Sequence, residues 1–212
     1  MKADSYNKHI ILQELKRHAP FTFFGALTGI VIMVFLGSMP YKEAYNVFYV
    51  LHPMHVFLSA LVTASMYRNY KEREVSGKCG VAGLLAVGFF GSIGIATLSD
   101  SIMPYLGEVL LKMPRAEPHI GFIEEWYIIV PLALAGITLA YFRPSTKFPH
   151  AGHVLISTWA SLFHIIMAGS KILTPFYSAA IFAFLFIAVW VPCCISDIVF
   201  PLVFVGRKPQ KK

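Results

Sequence analysis

Residues 80–104 read GVAGLLAVGFFGSIGIATLSDSIMP, and Asp100, near the end of the run, is its one ionisable side chain. About 20 mainly apolar residues are needed for a helix to cross the hydrocarbon core of a bilayer, and this stretch has them. Five further runs qualify, at 21–39, 53–70, 125–142, 150–169 and 176–205. The second can begin earlier, because 45–51 is itself mostly apolar and aromatic. The last is long enough to tilt or to break at Pro192. The expectation is an all-α integral membrane protein with six transmembrane helices.

Composition agrees. Of 212 residues, 57% are hydrophobic and 14% charged, against roughly 45–50% and 25% in soluble domains. A soluble enzyme and a disordered tail are excluded on that ground. Cys79, Cys193 and Cys194 are too few and too poorly spaced for a disulfide scaffold. The first twenty residues are polar and basic, without the short apolar stretch that signal cleavage needs, so the first span is expected to stay as an anchor.

Basic residues orient the spans. Lys2, Lys8, Lys16 and Arg17 precede the first, Arg68, Lys71, Arg73 and Lys78 follow the second, and Arg143 and Lys147 follow the fourth. With Arg207, Lys208, Lys211 and Lys212 in the tail, 14 of the 18 Lys and Arg residues share one face. Cytoplasmic loops carry this excess, so both termini are expected in the cytoplasm, and the membrane is the plasma (inner) membrane if the chain is prokaryotic. The net charge of +7 then reflects topology. The partner it implies is the lipid bilayer and not nucleic acid.

A duplication lies within this apolar background. Residues 52–59 read HPMHVFLS and residues 150–157 read HAGHVLIS; SDSIMP at 99–104 answers SDIVFP at 196–201, and ALTGI at 26–30 answers ALAGI at 133–137. The three matches keep their order. The first half has about nine extra residues before its histidines, supplied by YKEAYNVFYV at 41–50. Each half contains three spans, an odd number, so the halves enter the membrane in opposite orientation, as inverted-topology repeats do. The expected organisation is a cytoplasmic segment 1–20, a first three-helix repeat 21–104, an outer loop 105–124, a second repeat 125–205 and a basic tail 206–212.

The repeated polar residues are the candidate site. His52 and His55 begin the second span at the outer face, spaced to share one side of a helix, and Asp100 reaches a similar depth. His150, His153 and Asp197 mirror them at the inner face. Imidazole and carboxylate suit Zn²⁺, Fe²⁺, Mn²⁺ or Ni²⁺, and ionisable groups inside a membrane usually mark pathways or sites. Against this stands the plainer role of capping helices and bonding the repeats to each other. His164, whose repeat counterpart is Met66, is a possible extra ligand. Cys193 and Cys194 lie close to Asp197 in sequence, and Glu124 with Glu125 and His119 forms an acidic outer entrance.

The leading expectation is therefore a small transporter or channel for a divalent metal cation, with histidine protonation available for proton coupling. Three alternatives remain: a membrane cytochrome with His-ligated haem, a metal-dependent membrane enzyme, and a structural subunit of a larger membrane complex. A homo-oligomer is compatible with each. No Walker A loop, Gly-x-Ser-x-Gly, HExxH or dinucleotide fingerprint occurs; the duplicated and opposed arrangement argues against an enzyme, which usually needs one asymmetric site.

Overall fold

The computed structural model describes residues 2–75, 80–145, 147–169, 174–194 and 200–204. Among them there is helix and no strand. The order is α1 (Lys2–Leu36), α2 (Tyr41–Val75), α3 (Val81–Thr97), a π-turn (Leu98–Ile102), α4 (Met103–Leu110), α5 (Gly121–Glu124), α6 (Trp126–Phe142), α7 (Lys147–Met167), α8 (Pro175–Cys194) and α9 (Phe200–Phe204).

Among the described residues, four stretches are long and apolar enough to cross a membrane: Ala19–Leu36, Tyr41–Glu72, Val81–Leu110 and Pro175–Cys193. The fourth and fifth expected spans fall on shorter apolar helices, Trp126–Phe142 and Ala151–Met167. Large apolar side chains such as Phe24, Phe35, Phe90, Phe142 and Phe176 point outward. An apolar helix surface of this kind needs acyl chains to cover it, so the chain has the character of a membrane-embedded protein.

At the centre, α2 packs on α7, α6 and α3. It runs antiparallel to α7: Ser65 receives the backbone N–H of Ser145, His55 stacks on His153, and Phe48 meets His164 edge-on. α1 lies against α7 and α8, and α3 against α6. One apolar core, including Met33, Phe48, Leu162 and Leu185, fills the space where α1, α2, α7 and α8 meet. A second, including Leu61, Leu84 and Ile137, joins α2, α3 and α6. Gly136 sets the α2–α6 distance, because a Cβ there would strike the Phe57 carbonyl oxygen and come within 3.0 Å of the Ala60 side chain. Small residues allow this close approach where lipid supplies no hydrophobic drive between helices.

Two expectations change. The segment YKEAYNVFYV is the first three turns of α2 rather than a lead-in to it, because its aromatic residues pack on the core. His52 and His55 therefore do not begin their helix. They sit about 17 and 21 Å along it at 1.5 Å per residue, near the middle of the apolar stretch Tyr41–Glu72. The run 80–104 does not end at Pro104 either: helix continues through the π-turn to Leu110, so the first part of the expected outer loop is helical.

Candidate functional site

The π-turn aims Asp100 into the protein. Pro104 has no N–H to give to the carbonyl four residues back, and its ring crowds that carbonyl. The chain widens there, and the Met103 N–H bonds to the Leu98 carbonyl, five residues back. Such π-bulges are frequent at functional sites. Ser99, Asp100 and Ser101 are all buried as a result.

Four donors converge on the Asp100 carboxylate. The Nδ1–H groups of His52 and His55 donate to Oδ2 at 3.0 and 2.7 Å, and the hydroxyls of Ser99 and Ser157 donate to Oδ1 at 2.7 Å each. Ser161 ties the two elements together, bonding to the Ser99 carbonyl at 3.0 Å and the Ser157 carbonyl at 2.9 Å. The carboxylate thus fixes the tautomer of both rings, with the proton on Nδ1 and the lone pair on Nε2.

For His52 that lone pair faces Gly121, and its ring stacks on Phe48 with 5.3 Å between centroids. For His55 the Nε2 is buried without a hydrogen-bond partner among the described residues. The His55 ring lies parallel to that of His153, 5.7 Å between centroids and 4° between planes. Ligand atoms of His55, His153 and Cys193, all three residues buried, come within 4.8 Å of one another. Tetrahedral zinc, with bonds of about 2.0–2.3 Å to nitrogen and sulfur, calls for a contraction of roughly 1 Å from that upper limit. The set is one thiol and two imidazoles, with Asp100 behind one imidazole as an orienting group and not itself in the cluster.

The remaining candidates divide. The side chains of His150 and Cys194, and all of Asp197, lie outside the described residues. His164 stands apart from the cluster: its Nδ1–H donates to Glu108 Oε1 at 2.6 Å, both groups buried, and its Nε2 accepts the His119 backbone N–H at 3.3 Å. Glu124 accepts from the Tyr49 hydroxyl and from the Ile120 N–H, and lies 3.5 Å from His119 Nδ1. Glu125, at the N-cap of α6, is partly buried beside Glu124; burial first, then that neighbouring charge, pushes its carboxyl above the ordinary range.

Glu108, Ser157 and Ser161 escape the sequence reading. Ser157 carries a visible signal, since it closes the repeated HVxxS block. Glu108 carries one only if helix is assumed past Pro104. No family model, curated protein sequence or solved structure matches the chain.

Proposed function

We propose that the chain is a small polytopic transporter or channel for a divalent transition-metal cation, built as two three-helix repeats of inverted topology. One observation carries the reading. His55 and His153 hold equivalent positions in the two repeated blocks, and they meet face to face beside Cys193. Compact, parallel rings suit a small ion better than a haem.

The packing supports the repeat. If α1 corresponds to α6, α2 to α7 and α3 to α8, then α1 on α7 answers α6 on α2, α1 on α8 answers α6 on α3, and α2 on α3 answers α7 on α8. α2 on α7 answers itself, as a contact on a pseudo-two-fold axis must. The first helix of each half packs with the other half, so the bodies that would rock are α1/α7/α8 and α6/α2/α3. Substrate sites of such transporters lie near the bilayer midplane at this interface, which fits histidines midway along Tyr41–Glu72.

The cysteine favours Zn²⁺, Ni²⁺ or Fe²⁺ over Mn²⁺, because thiolate is a soft ligand. By sequence correspondence His150 and Asp197 would serve the second half as His52 and Asp100 serve the first. Ala96 stands where Cys193 stands, so the thiol is one-sided. The test is zinc uptake into proteoliposomes loaded with a fluorescent zinc indicator. Wild-type protein should admit zinc, and His55→Ala, His153→Ala and Cys193→Ala should each abolish most of the flux. Wild-type rates in all three variants would overturn the reading.

A further inference from the structure

We propose that Glu108 and His164 form a buried proton-exchange site, distinct from the histidine–cysteine cluster and reached from the outer loop through His119. Its role as the coupling site of a metal carrier rests on the transport reading above; its proton chemistry does not.

Both side chains are buried, at 1% and 0% exposure. Glu108 Oε1 holds the His164 Nδ1–H, while Oε2 is buried with no hydrogen-bond partner among the described residues. The His119 N–H donating to Nε2 keeps the His164 ring neutral in this arrangement. An ionised carboxylate with one oxygen stripped of water and given nothing in return is costly. The unpartnered carbonyl oxygen of a neutral acid costs far less.

Among the described residues, no counter-charge at the pair removes that pressure. From α2 come Phe48, edge-on to His164, with Tyr41, Tyr45, Tyr49 and His52 around it. The loop contributes His119, with Arg115 and Glu117 facing Tyr41, and Glu124 and Glu125 lie beyond. α4 brings Glu108 itself, α8 places Phe184 against Gly107, and the π-turn, packed on α4 and α7, carries Asp100, already held by its own four donors. The one contact supplied to Glu108 there is the Nδ1–H of the neutral His164 ring.

The same geometry gives a route. The His119 ring lies 5.5 Å from the His164 ring, and its Nε2 is 3.3 Å from the Tyr41 hydroxyl. Its Nδ1 faces Glu124, which is exposed. A proton arriving at His164 Nε2 displaces the 3.3 Å contact with the His119 N–H, and the Nδ1 proton passes to Glu108 Oε1. The ring takes one proton and gives one, remaining neutral before and after. Glu108 changes from carboxylate to acid, and release runs the two transfers in reverse.

The test is infrared difference spectroscopy on the metal-free, detergent-purified full chain, stepped between about pH 5 and about pH 8, the range in which imidazole exchanges protons. The expected result is a carbonyl band of a protonated carboxyl that disappears in Glu108→Gln and persists in Asp100→Asn. The introduced glutamine side chain can still accept the His164 Nδ1–H, so the fold is retained, and unchanged thermal unfolding checks it. In heavy water the band should shift, and His164→Phe should slow that exchange by about 100-fold, the lower end of what a positioned proton donor supplies. Absence of the band from wild type at every pH, or its survival in Glu108→Gln, overturns the proposal. A Glu108 band in a protein that admits no zinc would sink the metal reading and leave this one standing.

Discussion

Asp100→Asn is the most informative single change, because it removes a charge while keeping a shape. The amide has one acceptor where the carboxylate has two. Both imidazole Nδ1–H groups need an acceptor, whereas the Ser99 and Ser157 hydroxyls can turn and accept. The carbonyl of the introduced amide therefore stays on His52 and His55, and its NH₂ faces the serines. Two charge-assisted bonds, at 3.0 and 2.7 Å, become neutral ones. Bonds to charged groups contribute about 1.5–3 kcal/mol and neutral ones about 0.5–1.5 kcal/mol, so the loss on the imidazole side alone is about 2–3 kcal/mol. The ring of His55 also becomes a poorer ligand, and changes of this kind behind a metal-bound histidine cost about 10–100-fold in affinity. Calorimetric titration of the purified protein with zinc measures that ratio directly, with thermal unfolding as the check on the fold. Asp100→Ala is the harsher control: it strands two buried imidazole donors at about 1–3 kcal/mol each, a large share of the 5–15 kcal/mol by which proteins are stable. A folded Asp100→Asn protein that binds zinc within twofold of wild type would refute the view that Asp100 orients a ligand.

Four further outcomes are expected. Zinc at about 100 times its dissociation constant should stabilise the protein by about 2.7 kcal/mol, a gain that chelator reverses and Cys193→Ala largely removes in a melting assay. Gly136→Ala should destabilise by about 1–3 kcal/mol, since its Cβ meets the backbone of Phe57, whereas Gly94→Ala, with nothing within 4 Å of the added carbon, should be neutral or slightly stabilising; equal melting temperatures for the two would contradict the α2–α6 packing. The raised Glu125 carboxyl contributes stability that is full below its unfolded pKa and lost as pH rises through the folded one, so the melting temperature of Glu125→Gln should gain on wild type as pH increases, and a gap that stays constant with pH would count against it. Ala96→Cys should supply the missing thiol of the first half and tighten zinc binding, and a looser site would weigh against the repeat.

Membrane character is legible in residues 80–104 because hydrocarbon admits so few side chains that length and apolarity suffice. His52, His55, His153 and Asp100 stand out as candidates because the matched blocks at 52–59 and 150–157 and at 99–104 and 196–201 set them against an apolar background. What stays hidden has one physical cause. A helix that is apolar on every side gives no periodic signal of which side meets which neighbour, so nothing in the sequence places His55 against His153 or Cys193 beside them. The reach of α2 back to Tyr41 is hidden for a related reason, since tyrosines and a few charges at 41–50 read equally well as an interfacial loop. Glu108 reads as a solvated loop residue because Pro104 signals an end to the helix. Instead the proline widens the helix into a π-turn, which buries Asp100 and lets α4 bury Glu108 on the same side of the molecule as His164.

The two polar clusters differ in a way that bears on mechanism. On the proposed repeat, His55 and His153 are counterparts, whereas Cys193 answers to Ala96 and His164 to Met66. Two halves that matched in every residue would give inward- and outward-open forms of equal energy, and a site on the axis between them would look the same from either side. A ligand shifts such an equilibrium only through different affinity for the two forms. The paired histidines alone cannot supply that difference; residues present in one half can. On the proposals above, Glu108 and His164 would be such a pair, loaded from one face, so their proton would be bound differently when that face opens or closes. The paired histidines would then carry the cargo and the Glu108–His164 pair would set direction, which is why removing the Glu108 proton should abolish the pH dependence of uptake while leaving zinc binding at equilibrium nearly intact.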